Sequence, residues 1–97
     1  MKILTIRQPW AHLIVNGTKN IENRDWLTKY RGAFLVHAAQ RIDLEGCERH
    51  RISPDKLQRG GVIGMAEIVD CVDRHPSRWF DDLATWRPRF FLTAANR

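Results

Sequence analysis

The chain is 97 residues long, 43% apolar and 28% charged, with a formal net charge of +5. That length sets one domain over residues 1–97 with a core of modest size. The basic balance points to an anionic partner, nucleic acid being the commonest.

No run approaches the ~18 apolar residues of a membrane span. The first residues lack the cleavage pattern of a signal peptide. Cys47 and Cys71 make neither a disulfide framework nor, with the four histidines, a metal-ligand spacing. The expectation is a cytoplasmic chain with reduced thiols, no metal, no cofactor and no membrane partner.

Residues 2–6 read as a short strand, since Ile3, Leu4 and Ile6 are apolar and Thr5 is β-branched. Pro9 fits the first turn of a helix, where its missing N–H has no partner to lose. Trp10, Leu13 and Ile14 follow at helical spacing and form the expected buried stripe, with His12 pointing elsewhere. Asn16-Gly17 ends that helix, because glycine accepts the left-handed conformation past a C-cap. Two turns cannot be stable alone, so packing must hold them.

Gly17 to Trp26 is the densest stretch in the chain. Residues 19–26 read as a second strand, which puts Glu22, Arg24 and Trp26 on one face by their period of two. Lys19 has the opposite parity and joins them only from a turn. Lys19, Glu22 and Arg24 form the expected polar floor of a site, with Trp26 as its wall.

Residues 27–32 are a loop whose Tyr30-Arg31 pair suits stacking and anion contact. Residues 33–39 form a third strand, apolar almost throughout, so both faces are expected to be covered. His37 then faces something enclosed. Residues 43–50 are a candidate helix with Asp43 at its N-cap or in its first turn. Gly60-Gly61 is a turn. Residues 62–72 are the longest strand candidate, apolar on both faces and therefore central, with Gly64 allowing a bend. Residues 73–86 are irregular or a short helix, and residues 89–94 a last short strand. Five short strands, glycine punctuation and one or two short helices predict a mainly β fold with α, a small β-barrel flanked by short helices. An open α+β sheet is the alternative.

Several of these pieces occur in an order that resembles one family. Ile6-Arg7-Gln8-Pro9-Trp10-Ala11, then Gly17-Thr18-Lys19-Asn20-Ile21-Glu22-Asn23-Arg24-Asp25-Trp26, then Arg31-Gly32 and the strand ending His37-Ala38, look like an ASCH domain. Gly61 to Val72, ending Asp70-Cys71-Val72, is similar to the family's later central strand, and Trp79 and Phe91-Leu92 match more loosely. The resemblance implies a PUA-like barrel with a helix beside a cleft, and the glycine-lysine-glutamate-arginine motif lining that cleft. It also implies a link to RNA. Some members are thought to bind RNA, one is described as a ribonuclease, and a small branch hydrolyses N4-acetylcytidine. In that branch a threonine nucleophile stands three residues after the lysine, where this chain has Glu22. The chain looks closer to the glutamate-bearing branch that begins with Arg-Gln-Pro-Trp. Many relatives continue beyond the position of Phe91-Leu92 with another strand. Its lack here would leave an edge that a second copy could pair with, giving a homodimer, or would mark the chain as a shortened form lacking a final barrel strand.

Candidate roles follow. Lys19 and Glu22 are the catalytic candidates, as general base and acid of a metal-independent hydrolase acting on RNA or a modified nucleoside. The competing reading makes them a salt bridge that orders the strand. Arg7, Gln8, Lys19, Arg24, Trp26, Tyr30, Arg31 and His37 are the nucleic-acid-binding candidates, for RNA, another single-stranded nucleic acid or a nucleoside. Guanidinium forks match phosphate oxygens, and aromatic rings stack on bases. Arg7 is as well explained by a nearby carboxylate, His37 by the core, and Trp10 by packing. Glu67, inside an apolar strand, either answers a cation such as Lys19 or faces solvent. A third reading is a protein-interaction module whose cleft takes no nucleic acid.

Overall fold

The computed structural model of the chain describes residues 2–23, 28–72 and 89–94. Its elements are β1 (Lys2–Gln8), α1 (Trp10–Val15), β2 (Ile21–Asn23), β3 (Gly32–Ile42), α2 (Leu44–Arg49), a 3₁₀ turn (Pro54–Lys56), β4 (Gly61–Val72) and β5 (Arg89–Ala94). The five strands form one mixed sheet in the order β1-β3-β4-β5-β2. β1 runs parallel to β3, and the remaining pairs are antiparallel.

Strand alternation explains the burial. On β1, Ile6 and Gln8 are buried while Thr5 and Arg7 are exposed. On β3, Phe34, Val36 and Ala38 are fully buried and Leu35 and His37 are half-buried. Register then aligns the inner faces. Phe34 pairs with Ala66 and Ile68 with Leu92. These residues, with Ala11 and Ile14 from α1, make the core. A fully buried Phe or Ile contributes about 1.5–3 kcal/mol.

Two irregularities bend the long central strand. Val36 pairs with Gly64 but His37 with Val62, so Ile63 is an extra residue beside the expected bend. Val69 is a second one, between the Ile68–Leu92 and Asp70–Phe91 pairs. Such bulges sharpen twist and coil a sheet.

The short helix is fastened at both ends. At its start, the His12 N–H donates to Oε1 of Gln8 on the β1 edge (2.9 Å). At its end, the Lys19 N–H, two residues before β2, donates to the Leu13 carbonyl (2.9 Å). α1 packs against β1, β3, β4 and β5, so it lies inside the curve of the sheet. This is the mainly β fold with short flanking helices that the sequence predicts.

Local expectations hold with adjustments. Asp43 is the N-cap of α2, its carboxylate accepting from the Gly46 N–H (3.0 Å). Pro9 occupies the N-cap of α1 rather than its first helical position, because the Gln8 amide supplies the cap acceptor. Trp10 is half-buried, and Ala11 takes its place in the buried stripe with Leu13 and Ile14. The central position of β4 is as expected, yet Val62 and Val69 on it are exposed. Residues 73–86 lie outside the described residues. Among the described residues no helix is long and apolar enough to cross a membrane.

Candidate functional site

The site begins where α1 stops. Gly17 adopts φ +88°, and its N–H donates to the Ile14 carbonyl (3.1 Å). The Thr18 N–H donates to the Asn16 side-chain oxygen (2.9 Å). These bonds, with the Lys19–Leu13 bond, turn the chain back along the helix. Glycine is needed at that left-handed position because a Cβ would be strained there.

Lys19 therefore lies in the turn, not in β2, which begins at Ile21. That is the placement under which it can meet Glu22. Its ammonium lies 3.0 Å from Oε1 of Glu22 and also donates to the Ile21 carbonyl. The Lys19 side chain is 7% exposed and that of Glu22 14%. Ile21, between them, is fully buried and anchors the strand.

β2 is held by β5. Ile21, Glu22 and Asn23 pair with Phe91, Phe90 and Arg89, and the Asn20 carbonyl accepts from the Leu92 N–H (2.8 Å). Cross-strand partners share a sheet face. Position 22 thus falls on the face of position 90, which is also the face of the buried Leu92. Glu22 thus takes the face of Leu92 and retains some contact with solvent. Among the described residues the pair balances its own charge and offers an oriented donor and acceptor.

The other candidates are spread more widely. Arg24 and Trp26 lie outside the described residues. Arg7 is exposed on the outer face of β1. Gln8 is 1% exposed, and both ends of its amide are engaged within the chain: Oε1 accepts from His12 N–H, and Nε2 donates to the Gln58 carbonyl (2.9 Å). Tyr30 packs partly against the core and its hydroxyl donates to the Ala33 carbonyl. The Lys2 ammonium lies 5.5 Å from its ring centre. Arg31 is exposed and donates to the Thr28 and Tyr30 carbonyls (3.1 and 2.9 Å) and to Asp70 (3.4 Å), tying the loop to β4. His37 lies on the face opposite Phe34 and Val36, so it does not face the core. Strand parity turns it outward, where Nδ1 is 3.3 Å from the Thr5 hydroxyl. Glu67 is exposed.

Two features escaped the sequence reading. Gln8 anchors both α1 and the 56–58 segment, and the only local signal was a glutamine four residues before His12. Trp10 packs against Gly46 of α2, with Arg49 over its ring (5.8 Å) and His50 at its edge (5.4 Å). No spacing rule links those positions. Among the described residues, no group of three or more His, Cys, Asp or Glu side chains gathers as a metal site would require.

A curled mixed sheet, a short helix across its open side and a lysine–glutamate pair beside that helix define a small domain of the PUA-like class. The ASCH domain family model matches residues 4–90, and the chain belongs to that family. It is also 28% identical over 83 residues to activating signal cointegrator 1 from Homo sapiens and to its counterpart from Mus musculus. Each match covers 73% of this chain and 14% of the relative, so the chain corresponds to a small part of those proteins.

Proposed function

We propose that the domain binds RNA, or a nucleotide derived from it, in the cleft beside α1. The observation that carries this reading is the nearly buried Lys19–Glu22 pair, held rigidly by the turn after α1 and by β5. A pair of opposite charges fixed in this way matches the donor and acceptor edge of a base. It suits phosphate less, because Glu22 cancels the cation. Phosphate attraction falls instead to exposed cations such as Arg7, Lys29 and Arg31 and to the overall charge of +5. Arg24 and Trp26 complete the proposal as a further phosphate contact and a stacking wall. The ASCH membership supports an RNA-associated role. The two free thiols, Cys47 and Cys71, fit a reducing setting, and the cytoplasm is the proposed location.

The test is an anisotropy titration of the chain against short single-stranded RNA, DNA and nucleosides at several salt concentrations. Binding of RNA should weaken with salt, and Arg7→Gln should reduce the salt slope by about one. Glu22→Gln, nearly isosteric, should lose base preference while retaining the salt slope. Failure to retain any of these ligands would overturn the reading and favour an interaction module. The close ammonium–carboxylate contact supports one further reading, a metal-independent hydrolase in which the same two groups move a proton. Chromatography of the ligand after incubation decides it: altered ligand with the wild type and intact ligand with Glu22→Gln would establish catalysis.

A further inference from the structure

A recess lies beside α1. It measures about 260 Å³ and opens between the helix and the segment after the 3₁₀ turn. Neither Lys19 nor Glu22 lines it. Its walls are aliphatic: Val15 from α1, Leu57 from the segment and Ile63 from β4. Ile63 is there because of the bulge beside Gly64, which adds one residue to β4.

The floor is rigid. Gln8 is buried, and its amide ties α1 to the Gln58 carbonyl, so both walls of the recess are fastened to the same side chain. The remaining lining is polar. Lys56, His12 and Gln58 belong to it and are exposed, and among the described residues no carboxylate does. Among the described residues no salt bridge occupies Lys56. The His12 ring lies 3.4 Å from the Asn16 amide nitrogen, which sets its orientation at the mouth.

Aliphatic walls, a fixed polar floor, and a lysine ammonium beside an imidazole at the mouth are the usual ingredients of a small-ligand site. A cavity of about 150 Å³ suffices for a benzene ring, so the recess has room for one ring-sized body. Among the described residues no Phe, Tyr or Trp lines the recess, and the His12 imidazole is a small surface for stacking a nucleobase.

We propose that this pocket binds a small organic anion, a carboxylate or a phosphate monoester on a compact apolar body. Val15, Leu57 and Ile63 enclose the body, and Lys56 and His12 meet the acid group. The site is independent of the RNA reading.

The experiment is an amide ¹H–¹⁵N titration of the whole chain with benzoate, phenyl phosphate, neutral benzamide and cationic benzylamine. Saturable shifts at His12, Val15 and residues 56–58 are expected with one or both anions. Saturation by benzoate alone assigns carboxylates, and by phenyl phosphate alone phosphate monoesters. Benzamide should bind about 1.5- to fivefold more weakly, and Lys56→Met should weaken the anions by the same factor, the span of a solvent-exposed ion pair. Leu57→Trp, which fills the recess, should abolish the shifts while the rest of the spectrum persists. Absence of saturable shifts overturns the proposal. So does equal binding of benzamide or benzylamine, or unchanged affinity in both variants. RNA binding by Lys56→Met at wild-type strength would leave the two sites separate.

Discussion

The ammonium of Lys19 and the carboxylate of Glu22 meet at 3.0 Å across the start of β2, with the Ile21 carbonyl bound to the same ammonium. One side chain therefore fixes both the backbone of the strand and the direction of its carboxylate. Removing it leaves a carbonyl and a carboxylate short of a donor in a nearly buried place. Lys19→Met should cost about 1–3 kcal/mol, the usual penalty for a buried group that loses its hydrogen-bond partner. Glu22→Gln keeps an acceptor for the ammonium and should cost less. Urea midpoints at constant slope measure both, and equal midpoints for wild type and Lys19→Met would show that the pair carries no stability.

Gln8 makes a similar demand from the opposite edge. It bridges the first turn of α1 and the Gln58 carbonyl while 1% exposed. Gln8→Leu should preserve volume yet lose both bonds, destabilising the domain by about 1–3 kcal/mol. Amide hydrogen exchange at His12 should rise more than at Phe34, because the cap is lost while the sheet remains. Nucleic-acid affinity per folded molecule should stay within about twofold if the role of Gln8 is structural.

Gly46 sits in a helix, where alanine ordinarily improves stability by about 1 kcal/mol. Here a Cβ would stand 2.5 Å from Cζ2 of Trp10 and 3.0 Å from its Cη2. The clash is with a ring packed between helices, so overpacking should exceed the propensity gain. Gly46→Ala should lose about 1–3 kcal/mol. Combined with Trp10→Phe it should recover part of that loss, and a strictly additive pair in thermal unfolding would refute the contact.

Cys47 is 1% exposed, and burial, followed by the Asp43 carboxylate, pushes its thiol above the ordinary value of 9.0. In the unfolded chain the thiol ionises first, so above about pH 9 the native state holds the extra proton. Stability then falls as pH rises through that range and is unaffected by this group below it. Cys47→Ala should flatten the alkaline limb of a stability profile measured from pH 7 upward. Alkylation of Cys47 in the native chain should also be slow at pH 8, because the thiolate is scarce and enclosed.

Much of the scaffold was legible because its signals are local. Asp43 before Leu44 marked the cap of α2, the apolar run to Ala39 marked β3, and Gly64 marked the bend in β4. The site was legible where spacing alone decides: three residues bring Lys19 to Glu22 once Gly17 turns the chain. What was not legible depends on non-neighbours. Nothing near Lys2 announces that β1 will lie parallel to residues thirty further on, or that it will sit at the far edge from β2. The outward turn of His37 depended on which parity of β3 would face α1. Gln8 looked like a ligand contact because a glutamine's partners cannot be read without the segment near Gln58.

The strand order has a consequence for how the domain is made. The motif at residues 19–22 is synthesised early, but the strand pairing that holds it among the described residues comes from β5, residues 89–94. A ribosome extends the chain from one end, and a long-range partner cannot act before it emerges. The Lys19–Glu22 pair thus meets its strand partner late although its own residues come early. A nascent chain released before residue 89 would carry the Lys19–Glu22 motif without the strand that seats it.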